Sequence, residues 1–277
     1  MIKVTDQIFV ETSFVGSNVG CIITEQGLVL VDTPMFPDEA AELRTELRKI
    51  SDLDIAYVIY THQHFDHVVG GTFLTKRAIA CKAALGGIAY LKKNLDQELK
   101  LIFPDLYEEK REAFRNLEIV LPQITFNKEL TLHMGDKTLE LTFAGGHSSA
   151  SIMIYVPEDR VLLAGDNIVT GMPPFTANCR FGSWIELLGV VEKMEIDSIV
   201  PGHGEVCGKE VASMIRIYFE NMRDQVRSLS DAGVAKDEIV KKINLNDVLP
   251  VPATQEVLEQ MAFDVSRMYD HINKGFL

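Results

Sequence analysis

Hydrophobic positions along this chain alternate between short apolar runs and stretches with helical spacing. Ile8-Phe9-Val10, Cys21-Ile22-Ile23 and Leu28-Val29-Leu30-Val31 are compact apolar runs, and the last two flank Glu25-Gln26-Gly27, which predicts a β-hairpin. Pro37-Asp38-Glu39 then suits a helix start, with proline early and acids facing the positive end of the dipole. Ala40, Leu43, Leu47 and Ile50 follow at helical spacing. A short strand over 55–60 leads into a cluster of histidines. Residues from about 82 to 116 read as polar helix interrupted at Pro104.

Short apolar runs return at 129–133, 139–143, 151–156 and 161–164, separated by Gly, Asp or Pro turns. A helix over about 183–194 precedes a strand at 198–200, and two helices close the chain. One carries Val211, Met214, Ile215, Tyr218 and Met222, and the other Val257, Met261, Val265, Met268 and Ile272. Methionines at that spacing read as core. The order of strands, helix, strand and helix occurs twice, so two similar halves stacking their sheets with helices outside satisfy the layer rules. The fold class expected is α/β. The expected domain is a single one over 1–277, with a helical insertion at about 85–116 and C-terminal helices at about 208–277.

Composition narrows the function. The chain has 277 residues, 27 basic against 40 acidic side chains and a formal net charge of −13. It has no block of clustered Lys and Arg, which argues against a nucleic-acid partner. No apolar run approaches the ~18 residues of a membrane span, and Met1 to Asp6 do not read as a secretory signal. The four cysteines, Cys21, Cys81, Cys179 and Cys207, are widely spaced and form no C-x-x-C, so a cytoplasmic location is expected.

The chemistry concentrates in Thr61-His62-Gln63-His64-Phe65-Asp66-His67. In extended chain, residues two apart point the same way, so His62 and His64 can reach one metal ion. As the chain turns towards a helix, Asp66 and His67 swing to serve a second. Three imidazoles and a carboxylate so close together are costly near a core unless they are coordinated. Imidazole and carboxylate donors suit zinc, and also iron, nickel or manganese. His147 stands in Gly145-Gly146-His147-Ser148 and His203 in Pro201-Gly202-His203-Gly204, each after an apolar strand, as does Asp166 in Ala164-Gly165-Asp166-Asn167. His133 and His271 lack such a setting and read as ordinary surface or core-edge residues.

Taken in order, T-H-Q-H-F-D-H, G-G-H-S, A-G-D and P-G-H-G resemble the H-x-H-x-D-H…H…D…H pattern of the metallo-β-lactamase-fold hydrolase superfamily, over most of the chain. The resemblance implies a four-layer αββα sandwich. It implies that His62, His64 and His147 hold one ion, that Asp66, His67 and His203 hold another, and that Asp166 bridges the two. Asp32 matches a buried aspartate that orients a histidine.

The activity so implied is hydrolysis by a metal-bound hydroxide, with two Zn2+ as cofactors (iron or manganese also suit) and Asp66 as the catalytic residue orienting the hydroxide and carrying a proton. Asp166 points to the glyoxalase II-like and lactonase-like branches, so the expected substrate is a small ester, thioester, lactone or related amide. A mononuclear iron persulfide dioxygenase and a hydrolase with β-lactamase activity are the alternatives. Phe103, Tyr107, Phe175, Phe181 and Trp184 are candidate pocket contacts, although core is the commoner use of such residues. Neither a membrane nor a nucleic-acid partner is expected. A homo-oligomer stays open, since the C-terminal helices either cap the pocket or form a subunit contact.

Overall fold

The computed structural model describes residues 1–102, 104, 107, 108, 112, 117–245 and 248–277. Twelve strands among these form two mixed β-sheets, of seven and five strands, flanked by helices. This is the α/β class expected. The chain divides into two compact units, one comprising Met1–Phe143 with Ile152–Asp159 and the other Ala144–Ser151 with Arg160–Leu277.

The first unit opens with β1 (Ile2–Lys3), β2 (Ile8–Glu11), β3 (Val19–Thr24) and β4 (Gly27–Val31), paired antiparallel in sequence order. The expected hairpin is β3–β4, closed by Thr24 opposite Gly27. Gly27 has φ of 128°, and a Cβ there would lie 2.9 Å from both Ala56 Cβ and the Asp54 carbonyl, so the turn requires glycine. Helix α1 (Pro37–Ile50) starts where Pro37 predicts. The Glu39 carboxylate accepts from the Phe36 and Met35 amides, and Ala40, Leu43 and Leu47 form the buried face.

Strand β5 (Ile55–Tyr60) then pairs parallel with β4. The histidine turn follows it and ends in the single helical turn α2 (Phe65–Val68). Two parallel strands that the apolar pattern does not announce complete the seven-stranded sheet, β6 (Ala78–Cys81) and β7 (Ile124–Phe126). Both are short, and β6 contains Ala78 and Ala80, which have little intrinsic strand preference. Helix α3 (Leu85–Ile102) lies between them. Most of the remainder of the expected insertion, including Phe103, falls outside the described residues. The unit's other strands, β8 (Glu129–Met134), β9 (Lys137–Phe143) and β10 (Ile152–Val156), form an antiparallel ladder.

The second unit holds the parallel pair β11 (Val161–Val169) and β12 (Ser198–His203). Both run further than their apolar runs suggest, 161–164 and 198–200. Asp166 therefore sits inside β11 and His203 is the last residue of β12, instead of each following its strand. Register shifts at Gly165 let the pair continue. Pro201 is tolerated because β12 is at the end of its sheet.

Helix α4 (Phe181–Val191) precedes β12, and α5 (Glu210–Asp231), α6 (Lys236–Lys242) and α7 (Gln255–Asn273) follow it. The apolar pattern does not announce helix α6, two polar turns with Ile239 alone buried. The core of this unit is aromatic. Trp184 and Phe219 approach to 4.8 Å and Phe181 and Phe219 to 5.3 Å, and all three side chains are fully buried. Met222, Met261 and Met268 are buried with them, in the core role expected. No helix among the described residues is long and apolar enough to cross a membrane.

Candidate metal centre

In the first unit the candidate ligands occupy the turn between β5 and α2. Asp32, at the end of β4, organises it. Its backbone is left-handed, with φ of 62°, and its amide donates to the Ile59 carbonyl at 2.8 Å. The buried carboxylate accepts from the Thr61 amide at 2.7 Å, the Thr61 hydroxyl at 2.7 Å and His67 Nδ1 at 2.8 Å. Because the Thr61 hydroxyl gives its proton to Asp32, it accepts one from His62 Nδ1, 3.0 Å away. One carboxylate thus fixes the tautomer of two buried histidines, directly for His67 and through Thr61 for His62, and leaves each Nε2 with a lone pair. The orienting role expected of Asp32 has its geometry here. The His64 ring lies 4.4 Å from that of His62, and His67 Nε2 lies 3.5 Å from Asp66 Oδ2.

In the second unit three candidate ligands come from separate segments. His147 is fully buried in the 144–151 turn, where Gly145 and Gly146 take φ of 63° and 77°. A Cβ on Gly146 would fall 2.5 Å from Asn167 Oδ1 and 3.0 Å from the Trp184 ring, so only glycine lets the turn lie this close. The His147 amide donates to Asn167 Oδ1 at 3.0 Å, and Trp184 Nε1 donates to the Asn167 carbonyl at 3.1 Å. His147 Nδ1 donates to the Phe175 carbonyl at 3.1 Å, so Nε2 again carries the lone pair. Asp166 offers a different oxygen to each neighbour, Oδ2 to His147 Nε2 at 3.5 Å and Oδ1 to His203 Nε2 at 3.5 Å. Gly202 makes this approach possible, because a Cβ there would stand 2.0 Å from Asp166 Oδ1.

The donor set fits divalent cations. Two ligand atoms about 2.1 Å from one tetrahedral ion are themselves roughly 3.4 Å apart. The three imidazole–carboxylate separations of 3.5 Å match that spacing and are too long for good hydrogen bonds. His62, His64, Asp66 and His67 of the first unit and His147, Asp166 and His203 of the second are the candidate cation ligands, each offering an imidazole nitrogen or a carboxylate oxygen. Neither group includes Cys207. Its thiol is pushed up to about 12 by burial and by Glu210, and its backbone is engaged with Ile199.

The sequence profile of the metallo-beta-lactamase superfamily matches residues 12–203. The chain belongs to that superfamily. A linear primary-alkylsulfatase from Pseudomonas sp. is 25% identical over 257 residues, which cover 79% of this chain and 48% of that enzyme. An acyl-coenzyme A thioesterase from Bos taurus is 23% identical, covering 68% and 71%. A type 2 metallo-beta-lactamase from Bacillus cereus is 26% identical, covering 69% and 68%. Among solved structures, an inverting sec-alkylsulfatase from Pseudomonas sp. superposes with a TM-score of 0.75 at 16% identity, over 97% of this chain and 49% of that one. A family member from Thermus thermophilus gives 0.66 at 16% identity, over 99% and 95%. This chain spans about half the length of the alkylsulfatases it matches. The two helix-flanked sheets are those of the α/β sandwich that the resemblance implied.

Several residues that shape the site carry no motif. Asn167 is marked only by adjacency to Asp166, and Phe175 acts through its backbone. Of the candidate pocket residues, Tyr107, Phe181 and Trp184 are buried, whereas Phe175 is 47% exposed. His133 is exposed, and His271 is a buried core-edge residue against Phe181 and Phe276.

Proposed function

We propose that this protein is a metal-dependent hydrolase that binds two divalent cations, zinc in the first instance, and cleaves a small ester, thioester or lactone. The observation that carries this reading is the trio of 3.5 Å imidazole–carboxylate separations, with the proton of His67 and of His147 held on Nδ1. In it, His62, His64 and His147 hold one cation, Asp66, His67 and His203 hold the other, and Asp166 lends one oxygen to each. Such cations supply Lewis acidity and lower the pKa of water towards neutrality.

The chain's own residues do the rest. Asp32 keeps His67 and, through Thr61, His62 in the ligating tautomer. Asp66 orients the attacking water through its carboxylate, takes up its proton and passes it to the leaving group. Sulfuric esters join the candidate substrates because the matched relatives include two alkylsulfatases, one of them superposing on nearly all of this chain. The thioesterase relative supports the thioester reading.

The test is metal content by plasma mass spectrometry on protein expressed without supplementation, alongside a panel of aryl esters, thioesters, lactones and alkyl sulfates. About two zinc ions per chain and turnover lost on chelation are expected. The Asp66→Ala variant should lose most turnover even when metal is restored. One iron per chain with oxygen uptake on a persulfide would overturn the reading.

A further inference from the structure

The anchor of His147 is held from outside the residues that the family profile covers. Its Nδ1 donates to the Phe175 carbonyl, and that carbonyl shares one planar peptide unit with Thr176. Whatever fixes Thr176 therefore fixes the acceptor. Thr176 is fully buried, and its hydroxyl donates to Asp264 Oδ1 at 2.6 Å. Asp264 is itself fully buried on α7, where it also accepts from Gln260 Nε2 at 2.7 Å and from the Tyr218 hydroxyl of α5 at 3.0 Å. One residue earlier on each side, the Phe175 and Phe263 rings stack at 6.4 Å with an interplanar angle of 9°. Two consecutive residues of the segment thus grip two consecutive residues of one helix.

A carboxyl group removed from water is costly, and an apolar side chain would fill the same space more cheaply. Burial pushes the Asp264 acid up to about 7, against the pull of its three donors. Of the three groups that donate to Asp264, namely Thr176, Tyr218 and Gln260, Thr176 is the one whose peptide unit carries the His147 anchor.

We infer that Asp264 is a positioning residue, which through Thr176 sets the Phe175 carbonyl and so holds His147 as the Nδ1–H tautomer with Nε2 turned towards the metal. The last step rests on the metal-centre reading above; the tautomer does not.

The experiment follows both, on the full chain. Long-range proton–nitrogen NMR of the metal-free protein reads the His147 tautomer, and titration with cobalt(II) reads metal affinity. Thr176→Val exchanges the hydroxyl for a methyl group of similar size, and Asp264→Ala deletes its acceptor. Either change should convert a single Nδ1–H form into a tautomer mixture and weaken cobalt(II) binding about tenfold, as losing an outer hydrogen-bond partner does. Thr176→Ser and Asp264→Asn, which keep a donor and an acceptor oxygen, should restore both readouts. If Asp264→Ala does not fold, the Thr176 pair decides. Folded Thr176→Val with one tautomer and unchanged affinity, showing only a lower melting temperature, would overturn the inference. Unchanged cobalt(II) affinity in His147→Ala would instead overturn His147 as a ligand, leaving the tautomer measurement to judge the positioning chain separately.

Discussion

Four candidate ligands of the first unit, His62, His64, Asp66 and His67, lie within six consecutive residues, whereas the three of the second unit are spread from His147 to His203. The first set is arranged by one strand end, one helical turn and one carboxylate, Asp32, which bonds both Thr61 and His67. The second set is arranged by contacts distant in sequence: Asn167 on the His147 amide, Phe175 on its ring, and Gly202 against Asp166. Local chain geometry can place neighbours with little help, but a ligand alone on its segment must be held by packing and by long-range hydrogen bonds. The second set therefore depends on more of the molecule, including helices beyond the family match.

The largest expected effect lies where the second set converges. Asp166 presents one oxygen to His147 and the other to His203, so under the proposed function Asp166→Ala would take a ligand from both cations. Activity should fall roughly a thousandfold or more, the scale of several kcal/mol of lost charge stabilisation. Steady-state rates with metal content measured on the same sample check this. A loss below tenfold at full metal occupancy would mean that the spread-out set is not what holds the cations.

The second effect concerns stability and separates the two regions by pH. Asp264 has its folded acid pushed up to about 7, first by burial, with Thr176, Tyr218 and Gln260 pulling it down. In the unfolded chain it ionises near pH 4. Between about pH 4 and 7 the folded state therefore holds one proton more than the unfolded state. Stability from this group is greatest below the unfolded value and falls as pH rises through the window, by about 1.4 kcal/mol per unit, levelling near 7. Denaturant unfolding of the wild type minus Asp264→Asn should show this slope. A difference independent of pH across the window would show that the buried acid is already ionised at pH 4, with its three donors outweighing burial.

What is legible in the sequence follows the same division. The T-H-Q-H-F-D-H turn stands out because its residues are adjacent and follow a clear apolar strand. His147, Asp166 and His203 are visible only as single polar residues beside glycines, and they become a set only through the family pattern. The apolar pattern ends the strands of Asp166 and His203 too early for a physical reason. Gly165-Asp166-Asn167 and Pro201-Gly202 have poor strand propensity, and it is the β11–β12 pairing that carries them as strand. The same holds for β6, whose small residues become strand by pairing with β5 and β7. Phe175, Thr176 and Asp264 are illegible as a chain because the first acts through a carbonyl and the other two meet 88 residues apart. No local pattern encodes that contact.

The smallest of the three effects tests the compact turn by its own organiser. Asp32→Asn keeps size and shape and leaves one oxygen, but replaces the other acceptor with an NH2 group. Asp32 accepts from the Thr61 amide on Oδ1, and from the Thr61 hydroxyl and His67 Nδ1 on Oδ2. An amide cannot satisfy both sides. If its oxygen keeps the Thr61 amide, its NH2 faces His67 Nδ1, and the ring answers by moving its proton to Nε2, where it blocks ligation. Affinity for metal should drop about 10–100-fold, with the second cation affected more than the first, because His67 is reached directly and His62 only through Thr61. Stepwise cobalt(II) titration with spectral deconvolution reads the two affinities apart. Equal weakening at both positions would mean that Asp32 supports the turn as a whole rather than His67 in particular, and the contrast between a locally encoded and a remotely held ligand set would lose its clearest instance.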